Sequence, residues 1–148
     1  MNIQGKQNQA NPNIKCVMIL DETLPVGLIA NTAAIMGITL GKEFPEVIGT
    51  DVIDQNGSWH SGIITIPVPI LRGSTEKIRQ IREKLCQPDS QDLKFVDFSD
   101  LAQGCKHYDE FIEKMCQTPE EKLQYLGLAI YGAKKKINQL TGSMPLLK

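Results

Sequence analysis

The sequence carries no surplus of charge of either sign. Sixteen lysines and arginines stand against seventeen aspartates and glutamates, which gives a formal net charge of -1 at pH 7. A protein that neutralises many phosphates needs a clear basic surplus or stripe. The one basic run, residues 134–136, is of the kind that usually lies on a solvated helix face. Nucleic acid is therefore not an expected partner.

Long apolar runs and targeting patterns are also lacking. No window approaches the roughly 20 consecutive apolar residues that span a bilayer. The polar stretch at residues 1–13 has no apolar segment of the secretory kind, and we interpret it as a disordered lead-in. A single α/β domain is predicted to follow at residues 14–148. We expect no membrane partner and a cytoplasmic location.

The four cysteines are few and widely spaced. None forms a C-x-x-C pair, so the sequence shows no zinc-ribbon or thioredoxin-type motif. Cys16 falls in an apolar run and is predicted to be a small buried hydrophobe. Cys105 stands two residues before His107, but such neighbours face different ways on a helix, which disfavours a nucleophile–base pair. We expect structural thiols in a reducing compartment.

Apolar material is well supplied, at 41% of the residues. The run at residues 15–20 predicts an interior strand, and residues 26–40 predict a helix that Gly41 ends. This helix is apolar nearly all round, so we expect it to be well buried. Strands separated by helices indicate a layered α/β domain. The other predicted strands are at 47–53, from Trp59, at 63–71 and at 93–98, and the predicted helices are at 75–87, 107–116 and 133–140. A capping box at 118–121 predicts the start of a helix or helical turn. The segment at 126–131 is ambiguous between the end of that helix and a buried strand, and its length favours the strand.

Four motifs spread over most of the chain point to one family. They are L-P-x-G-x-x-A-N at 24–31, D-x-x-D-x-x-G-x-x-H at 51–60, I-P-V-P-I-L at 66–71 and Y-L-G-L-A at 125–129. From Lys15 onward the chain resembles an uncharacterised bacterial family, the domain of unknown function two thousand, with a type II peptidyl-tRNA hydrolase-like fold. The resemblance implies a three-layer α/β sandwich, with a mixed four-stranded sheet and helices on both faces, often as a homodimer.

The activity of the hydrolase family does not transfer with the fold. The stretch at 15–37 resembles the strand-to-helix entry of the type II peptidyl-tRNA hydrolases, which reads roughly M-G-K-G-K-x-A-A-Q-x-x-H-A after the strand. When Gly27 is set on the second glycine of that motif, its functional lysine falls on Leu28 and its histidine on Ile35. The ester's oxyanion and the tRNA phosphates both need positive charge nearby, and Leu28 supplies none. Peptidyl-tRNA hydrolysis is therefore the less favoured function. Of the other functional positions, the aspartate is matched by Asp100, and the glutamine falls on Thr32 or, with a one-residue slip, on Asn31.

The start of the first predicted helix is a candidate ligand site. Free N–H groups and the helix dipole favour an anion there, with Gly27, Asn31 and Thr32 as ligand-binding residues. The plainer alternative is that Gly27 allows close packing and Asn31 makes a local hydrogen bond. No cofactor is predicted, because the segment matches neither a G-x-G-x-x-G nor a Walker pattern.

Two further candidates lie elsewhere in the chain. Asp51, Asp54 and His60 cluster on a predicted hairpin, where an open metal centre is chemically conceivable. Turn chemistry explains the aspartates better, so no metal site is predicted. Asp51 remains a candidate ligand-binding residue and His60 a candidate general base. Asp100 is the second catalytic candidate, and its alternative role is to cap a helix together with Ser99.

Two classes of function follow from these candidates. The protein could be a binding protein, or a hydrolase, for a small anionic molecule at the junction of the first strand and first helix. It could instead be a non-catalytic, homodimeric interaction module whose polar residues only complete turns and caps. A concave pocket joining Asn31, Asp100 and His60 would favour the first class, and separate surfaces would favour the second.

Overall fold

Four strands make the central sheet of the computed structural model, which describes residues 10–148. The sheet order is β4-β1-β6-β5, with β1 parallel to β4 and antiparallel to β6, and β5 antiparallel to β6. The predicted mixed four-stranded sheet is therefore confirmed. The strands are β1 (Ile14–Asp21), β2 (Val52–Ile53), β3 (Trp59–His60), β4 (Ile70–Gly73), β5 (Lys94–Ser99) and β6 (Tyr125–Ala133), of which β2 and β3 pair as a separate hairpin.

Helices cover both faces of the sheet. On β1, Cys16, Met18 and Leu20 point to the face that α1 covers, while Val17 and Ile19 point to the face that α2 and α5 cover. Both faces are buried, which explains why β1 is a continuous apolar run rather than an alternating one. The helices are α1 (Val26–Glu43), α2 (Thr75–Leu85), α3 (Asp100–Gly104), α4 (Tyr108–Cys116) and α5 (Lys134–Thr141).

The outer edge of β4 is covered by the C-terminal residues. Leu147 N donates to Ile70 O at 2.9 Å, and Arg72 N donates to Pro145 O at 3.0 Å. These bonds satisfy main-chain groups that an open sheet edge would leave unpaired. The prolines of the preceding segment, Pro67 and Pro69, lie before β4 begins, as expected for residues that cannot donate to a ladder.

Helix α1 differs from its prediction in length and in burial. It continues to Glu43, so Gly41 lies inside the helix and does not end it. The expected all-round burial is wrong, because only the face toward the sheet is packed. Val26 is 83% exposed and Ile38 is 75% exposed. The buried residues of α1 are Thr32, Met36 and Leu40.

The strand predicted at residues 47–53 is mostly absent. Pro45–Val47 is a 3-10 turn, and pairing is confined to a single bridge between Ile48 and Ile64 and to the two residues of β2. The segment at 63–71 joins the sheet only from Ile70. Ile66 of this segment is nevertheless buried in the core on the α1 side of the sheet, and Ile64 and Val68 pack against the same core.

The remaining elements agree with prediction apart from their ends. The ambiguous segment at 126–131 is the strand β6, and α2 ends at Leu85, two residues early. The predicted capping box does not form, because Thr118 Oγ1 donates to Lys114 O and only a 3-10 turn follows at Glu120–Lys122. No helix within residues 10–148 is long and apolar enough to cross a bilayer.

The predicted lead-in at 1–13 falls largely outside the described residues. Of its described part, Asn13 O accepts a hydrogen bond from Lys134 N at 2.8 Å. This bond ties the start of β1 to the start of α5.

A cleft between helices α1 and α4 as the candidate functional site

A cleft of about 440 Å³ lies between α1, β5 and the α3–α4 pair. Its volume and its mixture of apolar walls with a few polar groups are typical of small-molecule sites. The apolar lining consists of Ile35, Val96, Phe98, Ala102, Tyr108, Phe111 and Met115, and the polar lining of Thr39, Asp97, Ser99, Cys105, Lys106 and His107.

Local capping positions the polar rim of this cleft. Ser99 ends β5 and is 1% exposed, and its Oγ accepts a hydrogen bond from Ala102 N at 3.3 Å, which starts α3. Gly104 ends α3 after five residues, and His107 is the N-cap of α4. The turn between the two helices therefore carries Cys105, Lys106 and His107 to the rim.

The charges around the cleft leave one cation without a counter-ion. Glu110 pairs with Lys114 at 2.7 Å, and hydrogen bonds from Lys114 and from Lys106 N hold the pKa of Glu110 below its usual value. Asp97 is held by Arg82 at 2.8 Å. Within residues 10–148, the Lys106 ammonium has no hydrogen-bond or ion-pair partner. The cleft therefore offers a free positive charge beside apolar walls.

Asn31 lies near the end of the cleft where α1 begins. Its Nδ2 donates to Gln103 Oε1 at 3.1 Å, which joins α1 to α3. Asn31 precedes the cleft residue Ile35 by one helical turn, so the two side chains share a face of α1. This hydrogen bond brings Asn31 to the helix that Asp100 begins, whereas the ligand-binding role of Asn31 stays a prediction.

The other two residues predicted at the helix start differ in accessibility. Gly27 is exposed in the first turn of α1, and a Cβ there would meet nothing within 4 Å. Thr32 is 0% exposed, and its Oγ1 donates to Leu28 O at 2.7 Å. Thr32 is therefore a core residue and is not accessible to a ligand.

Asp100 has well-defined structural partners. Its Oδ1 accepts hydrogen bonds from Leu101 N at 2.8 Å and from Gln124 N at 3.0 Å. Its own N donates to Gln124 O at 2.9 Å. These bonds fasten the start of α3 to the residue before β6, while Ser99 provides the helix cap. Asp100 does not line the cleft.

The polar cluster on the β2–β3 hairpin satisfies the hairpin itself. Asp54 Oδ1 accepts from Asn56 N and Ser58 N, and Asp54 Oδ2 lies 3.0 Å from His60 Nε2. The hydrogen bond to His60 is the largest cause that lowers the pKa of Asp54. Asp51 Oδ1 accepts from Gly62 N at 2.9 Å. Within the described chain, no group of three or more histidines, cysteines or acidic residues could hold a metal ion.

In the part of the chain that the structure describes, no cleft joins Asn31, Asp100 and His60, which by the criterion given above favours the interaction module over a site built on these three residues. Asn31 contacts α3, which Asp100 begins, whereas His60 and Asp51 lie on the exposed hairpin. Neither His60 nor Asp51 lines the cleft. The catalytic roles of Asp100 and His60 stay predictions.

Sequence reasoning missed the cleft residues Cys105, Lys106 and His107. The sequence argument against pairing Cys105 with His107 assumes that both lie in a helix, where residues two apart face different ways. In the structure they lie in the turn between α3 and α4, and both line the cleft. Gly104 was the signal, since a glycine often stands where a helix ends.

Comparison with known proteins identifies the family to which the chain belongs. The profile of the family described as "Protein of unknown function (DUF2000)" matches residues 14–148. The chain belongs to this family. A search of curated proteins found no match. The DUF2000 chain resembles the solved structure of a protein of unknown function from Agrobacterium tumefaciens strain C58, with a TM-score of 0.81 at 17% identity, over 90% of this chain and 97% of that one. At this identity the similarity establishes the fold alone.

Proposed function

We propose that this DUF2000 protein binds a small anionic molecule in the cleft between α1 and the α3–α4 pair. The observation that carries the proposal is the Lys106 ammonium, which stands at the rim of a largely apolar cleft without a partner among the described residues. An ammonium and a carboxylate or phosphate form a charge-assisted hydrogen bond. His107 beside it adds a second polar group, and the apolar walls would bury the organic part of the ligand.

The start of α1, which the sequence predicts as an anion site, does not line the cleft. Leu28 N and Ile29 N bond to Pro25 O, which leaves the amides of Val26 and Gly27 without an acceptor in the described residues. We infer that the Asn31 amide, which joins α1 to α3, orients polar parts of the ligand. The Val26 and Gly27 amides keep the role of the anion site that the sequence predicts. If the protein is an enzyme, we expect a hydrolase, and Asp100 and His60 are its sequence-derived candidates.

We also propose that the chain shares the fold of the type II peptidyl-tRNA hydrolases. The mixed sheet between helical layers and the motifs from Lys15 onward support it. Cleavage of peptidyl-tRNA is the less favoured activity, because Leu28 occupies the position of the lysine. A direct assay on peptidyl-tRNA tests this inference, and robust turnover would overturn it.

Thermal-shift screening tests the binding proposal. Carboxylates and phosphates from a metabolite library are added to the wild type and to Lys106→Gln, which removes the charge with little change of shape. A ligand at about ten times its Kd should raise the melting temperature by roughly 3–5 °C. We expect this rise to vanish in Lys106→Gln and to weaken in Asn31→Ala. Lys84→Gln, on the exposed surface of α2, is the matched control and should keep it.

A homodimeric interaction module is the second candidate function. The observation in its favour is the number of large apolar side chains that are exposed on α1 and in the hairpin region, since interfaces bury such side chains. A screen without any hit would move support to this function. The exposed apolar residues are Val26, Ile35 and Ile38 on α1, and Ile48, Val52, Ile53, Trp59 and Ile63 in and around the hairpin.

The proposed location is the cytoplasm. All four cysteines are free thiols, and two of them, Cys86 and Cys116, are exposed. Thiols of this kind persist in a reducing compartment.

A further inference from the structure

A second, smaller cavity of about 160 Å³ lies beneath the C-terminal half of α1. It is bounded by α1, by β1 and β6, and by the segments on either side of the hairpin. Its walls contain Met18, Leu40 and Val68, and the ring of Tyr131, which stacks on Phe44 with centroids 3.8 Å apart. No charged side chain lines it. Interiors normally fill such a space, so this cavity needs an explanation.

Two glycines of α1 help to keep the cavity open. Gly37 and Gly41 both line it, although glycine is a poor residue inside a helix. A Cβ at Gly41 would meet nothing within 4 Å, and one at Gly37 would meet only Met18 Cε, at an ordinary 3.6 Å. Close packing against the protein therefore does not require glycine at either position. Larger side chains there would instead take up cavity space.

The chemistry of the walls selects an uncharged occupant. Cys16 is 2% exposed and contributes the thiol, which has no hydrogen-bond partner among the described residues. Burial raises the pKa of this thiol to about 11, so it is neutral at physiological pH. A buried water needs two to four polar partners, whereas apolar cavities of similar size stay dry and accept benzene or xenon.

The cavity reaches the surface beside the base of the hairpin. Ile48 lines it and is 42% exposed, so this residue lies at the mouth. The same wall is fastened by hydrogen bonds from Thr65 N to Val47 O at 2.8 Å and from Gly49 N to Ile63 O at 2.9 Å. These hydrogen bonds hold the hairpin-side wall of the cavity in place.

We propose that this cavity binds an uncharged apolar group of about six carbon atoms, such as a benzene-sized ring or the end of an aliphatic chain. The site is distinct from the anion-binding cleft, since the two share no lining residue. Its occupant is recognised by volume and by the absence of charge, with the Tyr131 ring as an aromatic wall.

Benzene is the probe for this proposal. At about ten times its Kd, benzene should raise the melting temperature of the wild type by roughly 3–5 °C. Gly41→Leu, which fills the cavity from α1, should abolish the rise. Gly27→Ala changes an exposed glycine of the same helix and should keep it, as should Lys106→Gln in the other cleft.

Two results would overturn the proposal. One is the absence of any benzene effect on the wild type, and the other is an undiminished effect in Gly41→Leu, which would place the benzene elsewhere. Crystals of the wild type under xenon pressure give a readout that does not depend on a folded variant. We expect xenon between Gly41, Met18 and Tyr131, and its absence there would count equally against the cavity site.

Discussion

Gly127 lies where α1 packs on β6, and here the absence of a side chain is required. A Cβ at this position would lie 2.6 Å from Thr32 Cγ2, 2.9 Å from Met36 Cε and 3.2 Å from Leu20 Cδ1. Thr32 and Met36 are both 0% exposed and cannot move into solvent. The glycine therefore sets how closely the helix approaches the sheet.

The first prediction follows from this contact. Gly127→Ala should lower the free energy of unfolding by about 1–3 kcal/mol, because an extra methyl group overpacks a full core. Denaturant unfolding followed by circular dichroism measures the change. Gly27→Ala is the control, since a Cβ there meets nothing within 4 Å, and it should be neutral or slightly stabilising. An equal loss in both variants would contradict the packing argument.

Tyr125 carries the second prediction at the residue scale. It is 1% exposed, its hydroxyl donates to Glu120 Oε1 at 2.8 Å, and the guanidinium of Arg82 lies 5.0 Å from its ring centroid. Burial is the largest cause and the hydrogen bond to Glu120 the second of a phenol pKa far above the ordinary value of 10.0. The folded state thus holds this proton more tightly than the unfolded state.

The sign of the pH effect follows from that difference. The contribution of Tyr125 to stability is fully present below pH 10 and is lost as the pH rises above it, toward the folded-state pKa. Titration of tyrosinate absorbance for the wild type and Tyr125→Phe isolates this residue. The difference between the two curves should appear only well above pH 10, together with unfolding. A difference centred near pH 10 would mean that Tyr125 is accessible to solvent.

At the scale of elements, the β2–β3 hairpin is the least integrated part of the structure. Every residue from 50 to 61 is exposed, and the hairpin pairs only through Val52 with His60 and Ile53 with Trp59. Its base is tightly closed, because a Cβ on Gly62 would lie 1.9 Å from Gly49 O. The hairpin therefore adds no buried surface to the core.

The third prediction is that the domain folds without this hairpin. Replacing residues 51–60 by two glycines should change the melting temperature by less than about 3 °C, since no core contact is lost and a short link spans the closed base. Differential scanning calorimetry gives the comparison. Gly62→Ala, which forces the two base segments apart, should be more damaging than the deletion. A deletion variant that melts about 10 °C lower would show that the hairpin supports the domain.

Helix α1 shows why a helix can be predicted correctly while the burial of its residues is predicted wrongly. Its pattern of small and apolar residues correctly indicates a helix, and propensity and capping are local properties. Which side of it is covered depends on how many layers pack against it. Met36 faces the sheet and is buried, whereas Ile38, two residues later, is 75% exposed. No window of the sequence distinguishes those two environments.

At the scale of the whole molecule, the exposed apolar surface carries the fourth prediction. If the protein is a homodimer through α1, sedimentation velocity should give a dimer for the wild type and a monomer for Ile38→Asp. A charge at an apolar interface costs desolvation, whereas Ile38 is already exposed in a monomer, so the variant should remain folded. Gln80→Asp, on the exposed side of α2, is the control and should leave the mass unchanged. A monomeric wild type at all concentrations would remove the support for the interaction module.

The candidate site was only partly accessible from the sequence. The sequence names Asn31 and Asp100 as site candidates, and the structure joins their helices through the hydrogen bond from Asn31 to Gln103, whereas their roles stay predictions. Lys106 and His107 are not singled out by the sequence as site residues, because the cleft that they line is built by α1, β5, α3 and α4, which are distant in the sequence. Such an assembly is a property of tertiary contacts and leaves no local pattern.

The sequence by itself determined the interior strands β1 and β6, the main helices and their alternation, since apolar periodicity and helix capping act within a few positions of the chain. It also determined the membership of a family. It did not determine the strand predicted at 47–53, which is mostly absent. The tertiary structure decided which apolar residues are buried, where Cys105, Lys106 and His107 meet α1, and that Gly37 and Gly41 border a cavity while Gly127 fits a contact. The physical reason is that burial and cavities depend on distances between segments far apart in the chain, which packing alone sets.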